Sequence, residues 1–169
     1  MWNDTEIALA YLITFRCYGT WLHGDIRGSV DRNHNVFGAP RIEHEPARND
    51  YVRTIIKHEP VRLDSKRRQA VERAVRETCE KRTWHLHAIN VRTNHAHVVV
   101  AIGTKKSEIA MNAFKANATR QMREESCWPY DHSPWAEKGS KRRLWNETSV
   151  ANAIDYVLNG QGDDLPNFD

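Results

Sequence analysis

The hydrophobic periods along these 169 residues predict an α+β fold, an antiparallel sheet backed by helices. Three observations carry that expectation: a buried-strand pattern near the start, a hairpin of two strand patterns, and helical periodicity on either side of the hairpin. A chain of this length buries roughly 70% of its extended surface and needs no disulfide staple. With 40% hydrophobic and 28% charged residues and a mean hydropathy of −0.74, the composition excludes disordered, collagen-like and coiled-coil classes.

The first element is Leu9 to Phe15 (LAYLITF), apolar and followed by Gly19, Gly24 and Gly28, which predicts a buried strand running into a loop. Little periodicity follows, so residues 17–62 are expected to be a long loop insertion, with GTWLHGD (Gly19 to Asp25) its most distinctive part. Leu63-Asp64-Ser65 reads as a helix start, and Val71, Ala74, Val75 and Thr78 or Cys79 at helical spacing predict a helix over 65–82. Trp84 to Val91 and His95 to Ile102 flank the turn Arg92-Thr93-Asn94 as a hairpin, and Gly103 ends it. Residues 105–124 form a second predicted helix, with Ile109, Ala110, Ala113, Phe114 and Ala118 toward the sheet and Lys115, Arg120 and Arg123 outward. Residues 125–145 look irregular and close on KRRLW, a candidate short edge strand. Asn146 to Ser149 starts a last helix with an apolar stripe of Val150, Ile154, Val157 and Leu158, stopped by Gly160. The resulting order predicts a ferredoxin-like (split βαβ) antiparallel sheet with helices on one face and an extra C-terminal helix, in a single domain spanning 1–169.

Composition also bounds function. The apolar run Ile7 to Ile13 is far shorter than the ~20 residues that span a bilayer, and no basic segment precedes it, so neither membrane insertion nor secretion is expected. Cys17, Cys79 and Cys127 never form CxxC, which points to a reducing, cytoplasmic setting. No Lys or Arg follows Arg143, so the first 145 residues carry a net charge of +8, suited to a polyanionic partner.

Two His-x-His pairs, His85/His87 and His95/His97, stand in the hairpin. Residues i and i+2 of a strand share a face, the arrangement in which two imidazoles can grip one ion and leave it open positions for catalysis. The second pair runs on into the rigid Val98-Val99-Val100, yet periodicity leaves both pairs open. Tyr156 sits off the apolar stripe of the last helix, on a polar flank with Asn152 and Asn159. Trp21, Trp128, Trp135 and Trp145, in or beside irregular segments, are candidate base-stacking rings.

Asn94 to Val100 (NHAHVVV) resembles the HUH motif of single-tyrosine transposases, the insertion-sequence and REP-associated tyrosine transposases. Ala153 to Leu158 with Gln161 resembles their tyrosine helix, and LITFRCYGTWLHGD and RRLWNETSVANAIDYV are similar to the flanking regions of one branch. The resemblance implies His95 and His97 as metal ligands and Tyr156 as the catalytic nucleophile. It also implies a third ligand one turn after the tyrosine. That position is Gly160, so Gln161 is preferred to Asn159, since a helix ending at Gly160 lets the longer side chain swing back. The implied cofactor is Mg2+ or Mn2+, and the implied partner is single-stranded DNA near a hairpin, acted on by a monomer or homodimer through a 5′-phosphotyrosine. Lys138, Lys141, Arg142 and Arg143 are candidate phosphate contacts. Two rival readings are a hairpin-binding protein without cleavage and a metal-dependent hydrolase that activates water at His95 and His97.

Overall fold

The computed structural model describes residues 7–20 and 58–166. The chain divides into two units, one made of Met1–Cys17 and Arg62–Asp169, the other of Tyr18–Val61. In the second unit the Val61 amide donates to the Tyr18 carbonyl at 2.8 Å. Gly19 there has φ +79°, and a Cβ on it would stand 2.7 Å from Pro60 Cα, so this close approach needs glycine. Residues 21–25 of the GTWLHGD stretch, Trp21 among them, lie outside the described residues.

The first unit carries the sheet. β1 (Ala10–Cys17) is buried along nearly its whole length, as its apolar run predicts. α1 (Ser65–Lys81) starts on Asp64, whose side chain accepts from the Arg67 amide at 2.9 Å, a cap worth about 0.5–2 kcal/mol. β2 (His85–Val91) and β3 (His95–Ala101) form the hairpin, with a bulge between Leu86 and Ala88. After α2 (Ser107–Glu124) comes β4 (Trp135–Leu144), then α3 (Glu147–Asn159), capped by Asn146 accepting from the Ser149 amide at 2.8 Å. The strands lie in the order β2-β3-β1-β4, every neighbour antiparallel. β3 is thus inserted between the parallel β1 and β2, which is the split βαβ arrangement.

Strand alternation gives the sheet two faces with different tasks. Ile13, Phe15, Val98 and Val100 point to one side, covered by α1 and α2, where Phe15 meets Trp135 edge-on at 4.9 Å and Phe114 meets Trp84 at 6.0 Å. Each of these fully buried side chains contributes about 1.5–3 kcal/mol. The other side carries Ala10, Leu12, Ala88, Val99 and Leu144, packed by Val150, Ala153 and Val157 of α3. α3 therefore covers the face to which Thr14, His95 and His97 also belong, since His97 pairs with Thr14 and is two residues from Val99.

Several local expectations change. Leu158, placed on the apolar stripe of the last helix, is 54% exposed, and Ala153 is buried there instead. β4 is a ten-residue strand rather than a short stretch at KRRLW; it pairs with β1 from Trp135 onward, while its middle is exposed and charged. Lys115 does not point outward but donates to the Ala136 carbonyl of β4 at 2.9 Å. Ile109 is 42% exposed rather than turned to the sheet, and Met111 and Met122 take the buried positions. No helix among the described residues is long and apolar enough to cross a membrane.

Candidate active site

His97 lies near the middle of the sheet, and its Nδ1 is 2.7 Å from the Thr14 hydroxyl; both residues are buried. His95, at the start of β3 and half-buried, donates from Nδ1 to Asn94 Oδ1 at 2.7 Å. A proton on Nδ1 leaves the Nε2 lone pair of that ring for another partner, and the tautomer of His97 in which Nδ1 donates to the Thr14 hydroxyl oxygen does the same. The two rings are 4.6 Å apart between centroids. Burial pushes His97 down to about 4, with His95 and the Arg16 charge pressing the same way against a raising hydrogen bond from Gln161. Burial also lowers His95, again opposed by Gln161 and aided by Arg16 and Arg92. Both imidazoles are thereby held in the neutral form that a metal ligand requires.

α3 brings the tyrosine. Because Val150, Ala153 and Val157 face the sheet, Tyr156 falls at the edge of the helix. There it is 48% exposed, with its ring 5.4 Å from the His97 ring in an edge-to-face arrangement, all within one chain. The last turn of α3 is pinned by Asn90 of β2, which pairs with His97 and whose Nδ2 donates to the Val157 carbonyl at 2.9 Å.

Gln161 follows the helix end. Its Nε2 donates to the Tyr156 carbonyl at 3.1 Å, and its side chain is near enough to His95 and His97 to bear on the charge of both rings. Asn159 instead bonds Asp155 at 2.8 Å. Gly160 makes the turn possible. A Cβ on it would stand 2.7 Å from the Tyr156 carbonyl oxygen and 3.2 Å from the Tyr156 ring, and its own amide already donates to that carbonyl at 3.0 Å. Gly160→Ala is expected to displace this turn, costing about 1–3 kcal/mol in overpacking and loosening both Tyr156 and Gln161. Thermal unfolding and a DNA-cleavage assay check it; wild-type values in both would show that the turn tolerates the methyl.

His95 and His97, with the Gln161 amide oxygen as a third donor, would make a mixed donor set with open positions, of the kind that suits a divalent ion such as manganese or magnesium. Among the described residues no three His, Cys, Asp or Glu side chains gather as an alternative metal site. The other pair, His85 and His87, has rings 4.4 Å apart but sits elsewhere. His85 pairs with Ala101, roughly 15 Å along the strand from the level of Asn90 and His97. Buried Cys17, pushed up to about 12, and Cys79, pushed up to about 11, are not thiolate nucleophiles at neutral pH.

The basic residues of β4 do not form one cluster. Arg142 pairs with Leu12 and shares the histidine face, and Lys138 is exposed. Lys141 turns to the opposite face, where it bonds Glu108 at 3.3 Å, and Arg143 lies 5.8 Å over the Trp145 ring. Trp145 is 49% exposed, whereas Trp128 and Trp135 are buried. Thr14, Asn90, Asn94 and Arg16 escaped the sequence reading. The available signal was a polar residue at every second position, Thr14 and Arg16, inside an otherwise apolar strand.

Comparison with known proteins adds an independent line. The profile of the family described as IS200-like transposases matches residues 51–153. A solved REP-associated tyrosine transposase, bound to a REP hairpin, superposes with a TM-score of 0.52 at 11% identity over 93% of this chain and 69% of that one, a likeness of fold. A crystal structure of a candidate transposase from Deinococcus radiodurans gives 0.45 at 13% identity over 96% and 98%. No curated protein sequence matches. The profile takes in the strand of His95 and His97 and ends just before Tyr156. Because it extends over more than half of the 169 residues, the chain belongs to the IS200-like transposase family.

Proposed function

We propose that the protein cuts and rejoins single-stranded DNA by transesterification, with Tyr156 as nucleophile and a divalent ion, Mg2+ or Mn2+, held by His95, His97 and Gln161. The observation that carries this reading is the meeting, within one chain, of an exposed phenol with a pair of adjacent imidazoles. When bound, the ion supplies Lewis-acid charge toward a non-bridging phosphate oxygen of the scissile bond. The chain's own groups do the rest. Thr14 and Asn94 hold the two rings by Nδ1, so their orientation is set before substrate arrives.

Tyr156 projects from a helix pinned at Val157, and its exposure leaves the hydroxyl accessible to a DNA phosphate. Attack forms the bond from its oxygen to phosphorus and breaks the bond to the 3′ oxygen. The phenol loses a proton and the departing 3′ oxygen gains one. The product is a 5′-phosphotyrosine and a free 3′-hydroxyl; attack by another 3′-hydroxyl reverses the step and joins strands without a nucleotide cofactor.

Arg16 beside His95, with Arg142 and Lys138, supplies positive charge for the DNA backbone, while Arg143 with Trp145 offers a charged, stacking surface farther along β4. Lys141, tied to Glu108, contributes less. The hairpin held by the REP-associated relative makes a hairpin-flanked single strand the substrate to test. Incubated with such a labelled oligonucleotide and Mn2+, the protein is expected to form an adduct that survives denaturation and maps by mass spectrometry to Tyr156. Cleavage without an adduct would favour activated water, and binding without cleavage would leave a DNA-binding protein.

A further inference from the structure

α3 ends at Asn159 with Gly160 as its cap, so Gln161 lies on the segment beyond the helix. Something other than helical geometry must therefore set where Gln161 goes. The segment has little apolar packing of its own: Gly162 has φ +86°, and Asp163, Asp164 and Pro166 are exposed. Beneath it is a cavity of about 360 Å³ lined by residues that include Ser65, Gln69, Ile89 and Leu165. What spans that gap is hydrogen bonding to backbone carbonyls. Arg92, in the β2–β3 turn, donates to the Asp163 carbonyl at 2.9 Å, and Arg68, buried on α1, donates to the Pro166 carbonyl. Asn90 holds Val157 on the near side of Gln161. Gln161 is thus bracketed by three side-chain donors, each on the body of the sheet or on α1.

We infer that Arg92 is a positioning residue: its bond to the Asp163 carbonyl sets the path of residues 160–166 and so delivers the Gln161 amide to His95 and His97. The inference rests on the proposed metal reading for its functional consequence, but the delivery itself is a property of the metal-free chain. Arg92 is only half-buried, and the Asp163 carbonyl it holds is on an exposed residue, so its removal leaves the core intact. Arg92 and the two histidines belong to the same hairpin.

The test uses the full chain with isotope-labelled histidine. In metal-free protein, Gln161→Ala is expected to shift the imidazole NMR signals of His95 and His97, and Arg92→Ala, whose charge also acts directly on His95, to shift those of His97 the same way with an unchanged melting temperature, while Arg92→Lys, which keeps a donor, restores most of the wild-type positions. On titration with Mn2+, Arg92→Ala should weaken binding about tenfold, the scale seen when an outer-shell partner of a metal ligand is lost. In a Gln161→Ala background the same change should cause less than a twofold further loss, because the latch acts through Gln161. A merely structural role would instead add its effect in both backgrounds. Histidine signals and Mn2+ affinity unmoved by Arg92→Ala would overturn the inference. A wild-type chain that binds no Mn2+ would sink the metal reading, and the metal-free spectra would still decide whether Arg92 delivers Gln161.

Discussion

Tyr156→Phe is expected to abolish the proposed covalent DNA adduct and to lower strand cleavage by on the order of 10³-fold or more, with the protein still folded and its binding to the test hairpin oligonucleotide unchanged. The substitution removes one oxygen from a ring that is 48% exposed, and the edge-to-face contact with His97 involves the ring that remains. Stability should therefore change by no more than about 0.5 kcal/mol. DNA affinity should stay within about twofold, because charge supplied by Arg16, Lys138, Arg142 and Arg143 is untouched. A denaturing gel, a melting curve and a binding isotherm at fixed salt measure the three quantities. Cleavage at the wild-type rate would mean that water attacks, and Tyr156 would then be only a lid on His97.

Parts of this site were legible because they depend on local rules. Asn146 and Asp64 cap helices by contacts three residues away, and Tyr156 falls off an apolar stripe that helical geometry alone places. The choice between the two histidine pairs was a different kind of problem. His85/His87 and His95/His97 have the same spacing and nearly equal ring separations, and only strand register decides that the second pair meets Thr14, Asn90 and the end of α3. Register is a long-range property that spacing alone does not encode, and in the sequence the choice rests on the resemblance of Asn94 to Val100 to the HUH motif.

β4 was hard to see for a related reason. Its middle, Glu137 to Arg143, is mostly exposed and charged, so alternation is faint, and the strand exists through backbone pairing with β1. Lys115 was placed outward because the carbonyls it bonds belong to that unseen strand. The Asn90, Arg92 and Arg68 anchors are equally silent in sequence, since each grips a carbonyl, a group every residue has. Gln161 could be preferred to Asn159 because glycine ends helices, but the path of the segment that carries it lies beyond helical rules.

His97→Asn should have the second large effect, and it separates chemistry from folding in a way that His97→Ala does not. Alanine would leave the buried Thr14 hydroxyl without its imidazole partner and open a cavity, costing about 1–3 kcal/mol from the hydrogen bond alone. Lost activity in that variant would have two explanations. Asparagine places a polar atom near the position of Nδ1, so the contact with Thr14 survives, but it has nothing where Nε2 stood. Expected outcomes are a melting temperature close to wild type, Mn2+ binding weakened at least about tenfold, and cleavage lowered by ~10²-fold or more.

The variant also carries a pH signature in metal-free protein. Burial lowers His97 from 6.5 to about 4 in the folded chain, so between these values the unfolded chain takes up a proton that the folded chain does not. The contribution of His97 to stability is therefore full above about pH 6.5 and is lost as pH falls toward 4. Asparagine does not titrate, so urea unfolding of His97→Asn should fall less steeply than wild type across that window. Identical slopes would show that His97 protonates as easily in the folded chain as in the unfolded one, and wild-type cleavage by His97→Asn would remove this imidazole from the metal site altogether.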